Sequence, residues 1–463
     1  MQTTIAVTGD SIINRRISVC EEPAVEEYLD LLSDADVGVT HLEAILHDYD
    51  RDDIYPNAVA GGNWLQAPTS IADELATIGV DAVSHASNHA LDYGYGGLFS
   101  TWDALDEAGV RHAGTGENLA AADAPAYVES GSALVGLVSM TTSFADAHRA
   151  GDSRRDVMGR PGVNPLGVNY AVDTETRETI TAIAKQQGWW VTQQGDEWLL
   201  NPPGERRVAP DVYVETDDPA VTEAGGIVPR LDDADRARNL ASVRDAGSQA
   251  DLVVAHVHTH AWDPAEDMSE PAGFLPPFAR DCIDAGADVV LCQGTHTPLR
   301  GIEVHDGCPI FYDPGDFVFM TDSINRLPRQ YYERYADDLD VHAADARPSD
   351  AHAARGDIVE LGEKAETDDE EYFGGTIHNP PGGYFDAPVL GNVVPVCRFD
   401  ANFELDSVTI YPGRLQDDSK LLEGVPKRVY GDEAAEIIDH LADLSTRYDT
   451  TVELDGDLGT VVL

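Results

Sequence analysis

The chain has 463 residues, enough for one large domain with insertions or for several structural units, and ample for a sizeable core. Its formal charge is −54, from 84 acidic and 30 basic residues, and only Lys185, Lys364, Lys420 and Lys427 are lysines. That balance argues against nucleic acid as a partner, because neutralising phosphates takes clustered Lys and Arg.

The acids are spread through well-patterned segments and are not confined to one tail. Two readings stand: an acidic tract for disorder or cation binding, or an acidic surface for a high-salt cytoplasm. The second is favoured, since the screening length falls to roughly 3 Å at about 1 M salt and self-repulsion largely vanishes.

In chain order, Thr4 to Thr8 is a strand ending at Gly9-Asp10, and Pro23 to Leu32 has helical spacing through Val25, Tyr28, Leu31 and Leu32. The start runs straight into this strand without a basic n-region or an apolar signal core, and the expectation is a cytoplasmic protein. Val37 to Ile45 is a strand, Ser70 to Ile78 a helix with Ser70 as its cap, Val80 to Ser84 a strand, and Gly97 to Ala108 a helix. Ala126 to Val128 and Leu134 to Met140 read as paired strands. Gly188 to Arg230, with Trp189-Trp190 and Pro202-Pro203-Gly204, reads as a hairpin-rich insertion.

Asp232 to Ala246 is a helix that Gly247 stops, Leu252 to His256 a buried strand, and Phe274 to Ala285 a helix. Val289 to Cys292, Gly301 to Val304 and Pro309 to Tyr312 are strands. Asp337 to Gly383 is acidic and rich in Ala, Gly and Pro, which predicts a mobile excursion. Val389 to Phe399 and Leu405 to Tyr411 return as strands, and Asp432 to Thr446 is a terminal helix. Alternation of this kind predicts an α/β core with a largely parallel sheet. No stretch approaches the roughly 20 apolar residues of a membrane span. Cys20, Cys282, Cys292, Cys308 and Cys397 lack metal-type CxxC spacing and read as reduced, packed thiols.

Residues of metal-ligand type collect at strand ends. Asp10 follows the first strand, and His41 and Glu43 lie at the end of the second. Asn88 and His89 follow the third, in Ser87-Asn88-His89-Ala90-Leu91-Asp92-Tyr93-Gly94. His256, His258 and His260 alternate, which puts them on one face if the strand extends that far. His296 follows another apolar strand, in Gly294-Thr295-His296. The carboxyl edge of an α/β sheet is where sites form. Carboxylate and amide oxygens mixed with imidazoles suit Mn, Fe, Zn, Co or Ni. Each residue taken singly has an ordinary structural role open to it; their joint placement at successive strand ends is what points to a site.

These stretches resemble the CapA-type poly-γ-glutamate capsule biosynthesis family, whose fold is similar to the calcineurin-like metallophosphoesterases. The match runs through Gly9-Asp10, Leu42-Glu43, Ser87 to Gly94, Gly114 to Asn118, His258, Gly294-Thr295-His296, Gly301-Ile302-Glu303, Pro309 to Tyr312 and Tyr411 to Arg414. The resemblance implies a four-layer αββα sandwich with insertions and a C-terminal strand-helix extension. Residues 1–336 would be the core, interrupted at about 188–230; 337–383 would be the mobile insertion; 384–463 would complete the core.

Carried over, Asp10 and Glu43 are metal-facing carboxylates, Asn88 a ligand through its amide oxygen, and His258 and His296 imidazole ligands. His89 would be the general acid or leaving-group stabiliser, and Asp10 is counted with the catalytic groups. The chain departs from the family pattern at Ile12, His41, His260, Pro298 and Asp316. A second metal position therefore has fewer assured ligands, with His41, His256 and His260 as further donors, and the count of ions stays at one or two. Arg300 is a candidate clamp for a phosphate or carboxylate, or a surface arginine paired with acids.

Two functions follow as expectations. One is a metal-dependent hydrolase acting on a phosphoester or a γ-glutamyl-type amide of an anionic small molecule or polymer. The other is a non-catalytic accessory component of poly-γ-glutamate synthesis or export, with membrane synthase partners.

Overall fold

The computed structural model describes residues 2–60, 63–203, 211–263, 268–296, 299–335, 339, 341–354, 371–372, 375–376, 391–417, 419 and 421–463. The fold is mixed α/β and contains several sheets. The first large sheet is built on β1 (Thr3–Ile12), flanked in parallel by β2 (Val37–Leu42), then β3 (Ala82–Ser84), then β4 (Arg111–Ala113). Each parallel step needs a crossover. Helices α1 (Pro23–Ser33), α2 (Ile71–Thr77) and α3 (Gly94–Ala108) supply them.

The second sheet comprises β5 (Ala126–Glu129), β6 (Leu134–Thr141), β7 (Leu252–His258), β8 (Val289–Gln293), β9 (Arg300–His305) and β10 (Cys308–Asp313). Its order is β9-β10-β8-β7-β6-β5, parallel from β6 to β10 and antiparallel at both edges. Helices α4 (Asp233–Gly247) and α5 (Leu275–Asp284) belong to this half. The chain then returns to the first sheet as β11 (Gly391–Phe399), antiparallel to β1, and β12 (Leu405–Leu415). The helix α6 (Gly431–Ser445) precedes an edge hairpin, β13 (Val452–Asp455) and β14 (Leu458–Val461).

Alternation along the strands decides the packing, because successive side chains face opposite ways. Ile5, Val7, Val37 and Val39 of the first sheet share one apolar cluster with Leu137, Leu252, Val254, Val289 and Leu291 of the second. Ala6, Leu42 and Val83, of opposite parity, pack with Val25, Leu29, Leu75 and Leu105 of α1, α2 and α3. Val253, Ala255, Val257, Val290 and Cys292 pack with Leu240 and Val243 of α4 and Phe278 and Cys282 of α5. Both faces of the central strands are therefore buried, which is why they read as continuous apolar runs.

Two local expectations need adjustment. Ser70 precedes α2, but its backbone is itself helical (φ −61°, ψ −9°) and its hydroxyl caps nothing; the carbonyls of Pro68 and Thr69 take the first N–H groups instead. Gly247 lies in the last turn of α4, and Ser248 is the C-cap. The opposite end of α4 is capped by Asp232, which accepts from the N–H groups of Ala234 and Asp235.

Residues 168–231 include a five-stranded sheet, which takes in the 188–230 stretch and carries the helix Thr174–Gln186. Most of 337–383, the segment expected to be mobile, lies outside the described residues. Within the part that is described, Ala351 packs with Tyr331, Ile45, Trp64 and Tyr93. The five cysteines are free thiols. Among the described residues no helix is long and apolar enough to cross a membrane.

Candidate metal centre

The carboxyl ends of parallel strands from both sheets meet at one place, the edge where α/β proteins build their sites. β1 carries Asp10 at a register shift against β2, opposite His41. Glu43 follows β2, Asn88 and His89 follow β3, and β7 ends at His258, just before His260. β8 ends at Gln293, ahead of His296, and β10 is followed by Asp316.

Two glycines and one strained residue make this convergence sterically feasible. A Cβ on Gly9 would overlap the carbonyl oxygen of Gly315, so β1 approaches that turn only without a side chain. Gly294 has φ +130°, and a Cβ there would come within 2.9 Å of the His258 ring. His296 adopts φ 52°, a left-handed conformation uncommon outside glycine and often found at functional sites.

Glu43 lies at the middle of the cluster. Its Oε1 is 3.5 Å from His258 Nε2 and 3.8 Å from His260 Nε2, and its Oε2 is 3.4 Å from His296 Nε2. Asn88 Oδ1 is 2.9 Å and His260 Nε2 3.1 Å from His258 Nε2. Donor atoms placed about 2.1 Å from a four-coordinate ion lie about 3.4 Å from one another, close to the spacings within the group of Glu43, His258 and His260, whose donor atoms all lie within 4.8 Å of one another. Most of them are too long for hydrogen bonds.

The burial argument agrees. Glu43 is 0 % exposed, and neither of its oxygens has a hydrogen-bond partner among the described residues. His41 Nε2 and His258 Nδ1 are likewise buried without partners. Leaving a buried carboxylate without hydrogen bonds is costly, and a divalent cation would offset that cost. Hard oxygen donors with imidazoles suit a first-row divalent metal. Glu43, His258 and His260 would hold it, with Asn88 Oδ1 beside them and His296 at the other oxygen of Glu43.

Electrostatics separate the members. Burial raises the Asp10 pKa well above the carboxylate range, and the neighbouring charge of Glu43 adds to the effect. Burial also works to raise Glu43, but the positive charge on His296, with His260 and His89, leaves it lowered. Burial holds His41 and His258 well below the ordinary imidazole value, helped by the crowd of other imidazoles, and brings His256 down to about 3. His296 is raised well above its usual value, because Asp316, Glu43 and Asp10 outweigh burial.

His89 stands at the edge of the cluster, with Nε2 3.9 Å from Glu43 Oε1. Its Nδ1 is 2.6 Å from Asp92 Oδ2, which also accepts the backbone N–H of Leu65. Asp92 outweighs burial and raises the pKa of His89, the arrangement of an oriented general acid.

The structure brings Asp10, Glu43, Asn88, His89, His258, His260 and His296 together. His41 stacks between His256 and His258, with ring centroids 4.9 and 4.7 Å away. Ser84 Oγ joins His41 Nδ1 (2.9 Å) and His256 Nδ1 (2.6 Å), so His256 stands behind the cluster. β7 ends at His258, yet His260 still reaches the group, with its side chain 29 % exposed.

Arg300 differs from a substrate clamp: it is 1 % exposed, and it donates from Nε to the Met268 carbonyl and from Nη2 to that of Ala261. It therefore braces the backbone that follows β7. Pro298 lies outside the described residues. Three contributors escaped the sequence reading as site residues: Asp92, Asp316, whose Oδ1 is 2.9 Å from His296 Nδ1, and Gln293, whose Nε2 donates to Asp10 Oδ1 at 2.5 Å. The only signal for Asp92 was its position three residues past His89.

Comparison with known proteins adds a second line. Residues 4–321 match the family model described as bacterial capsule synthesis protein PGA_cap. The chain is similar, at 30% identity, to the protein y4sH of Sinorhizobium fredii, described as uncharacterized; the alignment covers 99% of this chain and 93% of that protein. A probable polyglutamine synthesis accessory protein of Mycobacterium tuberculosis is 30% identical over 237 residues, covering 50% of this chain and 43% of its own. The PGA biosynthesis protein CapA of Bacillus subtilis is 38% identical over 77 residues, covering 17% of this chain and 19% of its own.

Proposed function

The chain belongs to the bacterial capsule synthesis protein PGA_cap family, and from that premise we propose that it is a metal-dependent hydrolase linked to poly-γ-glutamate or capsule metabolism. Its substrate would be a phosphoester or a γ-glutamyl-type amide. The observation that carries this proposal is the gathering of Asn88, His258, His260 and His296 around Glu43, neither of whose buried oxygens has a hydrogen-bond partner among the described residues.

A bound divalent ion supplies Lewis acidity and lowers the pKa of water. The chain's own residues do the rest. Glu43 and the imidazoles fix the position of attack, and Asn88 Oδ1 closes one side of the cluster. His89, protonated and held at Nδ1 by Asp92, delivers a proton from Nε2 to the departing oxygen or nitrogen. Arg300 steadies the loop after β7 and does not touch the substrate.

The two sheets sharing one apolar cluster, with helices on their outer faces, support a four-layer αββα sandwich like that of the metallophosphoesterases. In this scheme residues 1–336 are the core and 384–463 complete it. A high-salt cytoplasm as its location accords with the net charge of −54.

Metal analysis of protein made in high salt, with a screen of phosphoesters and γ-glutamyl amides with and without Mn²⁺, tests this. We expect stoichiometric metal and Mn²⁺-stimulated hydrolysis that Glu43→Ala abolishes. Protein that holds no divalent metal, and whose Glu43→Ala variant behaves as wild type, would overturn it.

The names of the mycobacterial and Bacillus relatives support a second reading: a non-catalytic accessory that binds polymer during synthesis or export. Capture of membrane synthase components at high salt, retained in His89→Ala without any detectable hydrolysis by wild type, would favour it.

A further inference from the structure

Past the end of β1 the chain runs on to Arg15, and the short strand Val318–Phe319, parallel to β1, leads into Met320 and Ser323. These segments, the end of β12 and the Glu423-Gly424 turn line a cavity of about 150 Å³. Phe319 joins it to the metal centre, because its ring lines the cavity and stands 5.4 Å from the His296 ring, centroid to centroid. The wall is fixed sterically. Gly424 has φ +76°, and a Cβ there would overlap the carbonyl oxygen of Phe319, whose N–H in turn donates to the Gly424 carbonyl at 3.1 Å.

The cavity combines apolar walls with one unspent polar group. Phe319, Met320 and Leu415 supply the apolar surface. Gln416 is 3 % exposed, and its side-chain Nε2 is buried without a hydrogen-bond partner among the described residues. Its backbone is held on both sides: its N–H donates to the Val425 carbonyl, and its carbonyl accepts from Gly424. A buried N–H group in this position calls for an acceptor. The charged groups are already engaged. Arg15 donates from Nη1 to Ser323 Oγ and from Nη2 to the Glu423 carbonyl, each at 2.7 Å. Asp417 Oδ1 accepts from Arg414 Nη2 at 2.8 Å. An anion entering here would meet Asp417 and Glu423 with Arg15 alone to offset them, so the acceptor that fits is uncharged.

We infer that this cavity is a subsite for an amide unit of the substrate beyond the one that is cut: its carbonyl accepts from Gln416 Nε2, and its flanking methylenes lie on Phe319, Met320 and Leu415. The inference rests on the hydrolase reading above and narrows it. A chain of amide-linked units reaches from the metal centre past Phe319 to Gln416, whereas a small phosphoester offers neither the uncharged carbonyl nor the length. A pendant carboxylate on such a unit belongs at the mouth, beside Arg15. Gln416 then sets specificity without touching the reacting atoms.

The test labels the glutamine side chains of the full chain with ¹⁵N and follows the Gln416 amide resonance, assigned by its absence in Gln416→Met. Probes are added at high salt to the Glu43→Ala chain, which leaves them uncut. γ-Linked triglutamate should shift that resonance; free glutamate and phenyl phosphate should not. Gln416→Met should bind triglutamate about 3- to 10-fold more weakly, the worth of one hydrogen bond. A resonance that triglutamate leaves in place, or that phenyl phosphate or free glutamate moves as far, would overturn the inference, as would unchanged affinity in a folded Gln416→Met. Should Gln416→Met not fold, Gln416→Glu, of the same shape, serves in both roles. The two readings fail separately. A shifted resonance beside a wild type that cuts no probe keeps the subsite and removes the hydrolase; a still resonance beside wild-type hydrolysis of a γ-glutamyl amide does the reverse.

Discussion

His89 Nδ1 and Asp92 Oδ2 are 2.6 Å apart, and both residues are buried at the rim of the Glu43 cluster. Asp92 contacts none of the proposed ligands, so its effect should be on proton delivery. We predict that Asp92→Asn lowers kcat by roughly 10²- to 10⁴-fold, the range of general acid catalysis. Metal content should be unchanged. Titration of the variant with Zn²⁺, beside steady-state kinetics, checks this, and a parallel loss of metal would contradict it.

Gly294 and His258 make a steric prediction. Gly294→Ala forces a Cβ within 2.9 Å of the His258 ring, at a backbone φ of +130° that disfavours side chains. Weaker cation binding and lower stability should appear together. Isothermal titration and thermal unfolding of the same sample measure both.

Cation loading should itself stabilise the fold, because the donor set exists only in the folded chain. At a free ion concentration of 100 Kd the gain is about 2.7 kcal/mol. A chelator should therefore lower the Tm of wild type by several degrees and leave Glu43→Ala nearly unmoved.

Asp288 sits at the start of β8, where its Oδ2 accepts the N–H of Val253 at 2.7 Å. Burial pushes its carboxyl up to about 6. A raised carboxyl favours the folded state while protonated, so its contribution is fully present below the unfolded value near 4 and is lost as pH rises through about 6. Partial exposure reduces the effect to about 1–2 kcal/mol between pH 4 and pH 7. Chemical denaturation across that range should show it, and Asp288→Asn should remove that part of the slope.

Leu291 lies on the inner face of β8 at 0 % exposure, within the cluster both sheets share. Leu291→Ala should cost about 2–5 kcal/mol. A single cooperative transition, seen by far-UV and near-UV circular dichroism alike, is expected if the sheets depend on that common interior.

Much of the architecture was legible because the strands are buried on both faces and so read as unbroken apolar runs ending in polar residues. Val253 to Val257 and Val289 to Cys292 are of that kind, and His258 and His296 follow from where those runs stop. β13 and β14 were invisible for the opposite reason: Glu453, Leu454 and Asp455 are exposed, and no periodicity marks the hairpin. Asp316 was named only as a departure from a family pattern. Its contact with His296 spans 20 residues and depends on the left-handed turn at His296, which spacing alone does not reveal. Arg300 looked like a clamp because a cation beside a ligand histidine invites that role; its burial against two carbonyls is a property of the folded backbone.

Glu43 and Asn88 hang from the first sheet, while His258 and His296 hang from the second. A chain whose halves have not yet docked would present at most one pair of donors and release an ion readily; a finished chain would present the full set and retain it. Retention is thus a certificate of maturation. The fraction of molecules that stay loaded through gel filtration should equal the fraction in which both halves have met.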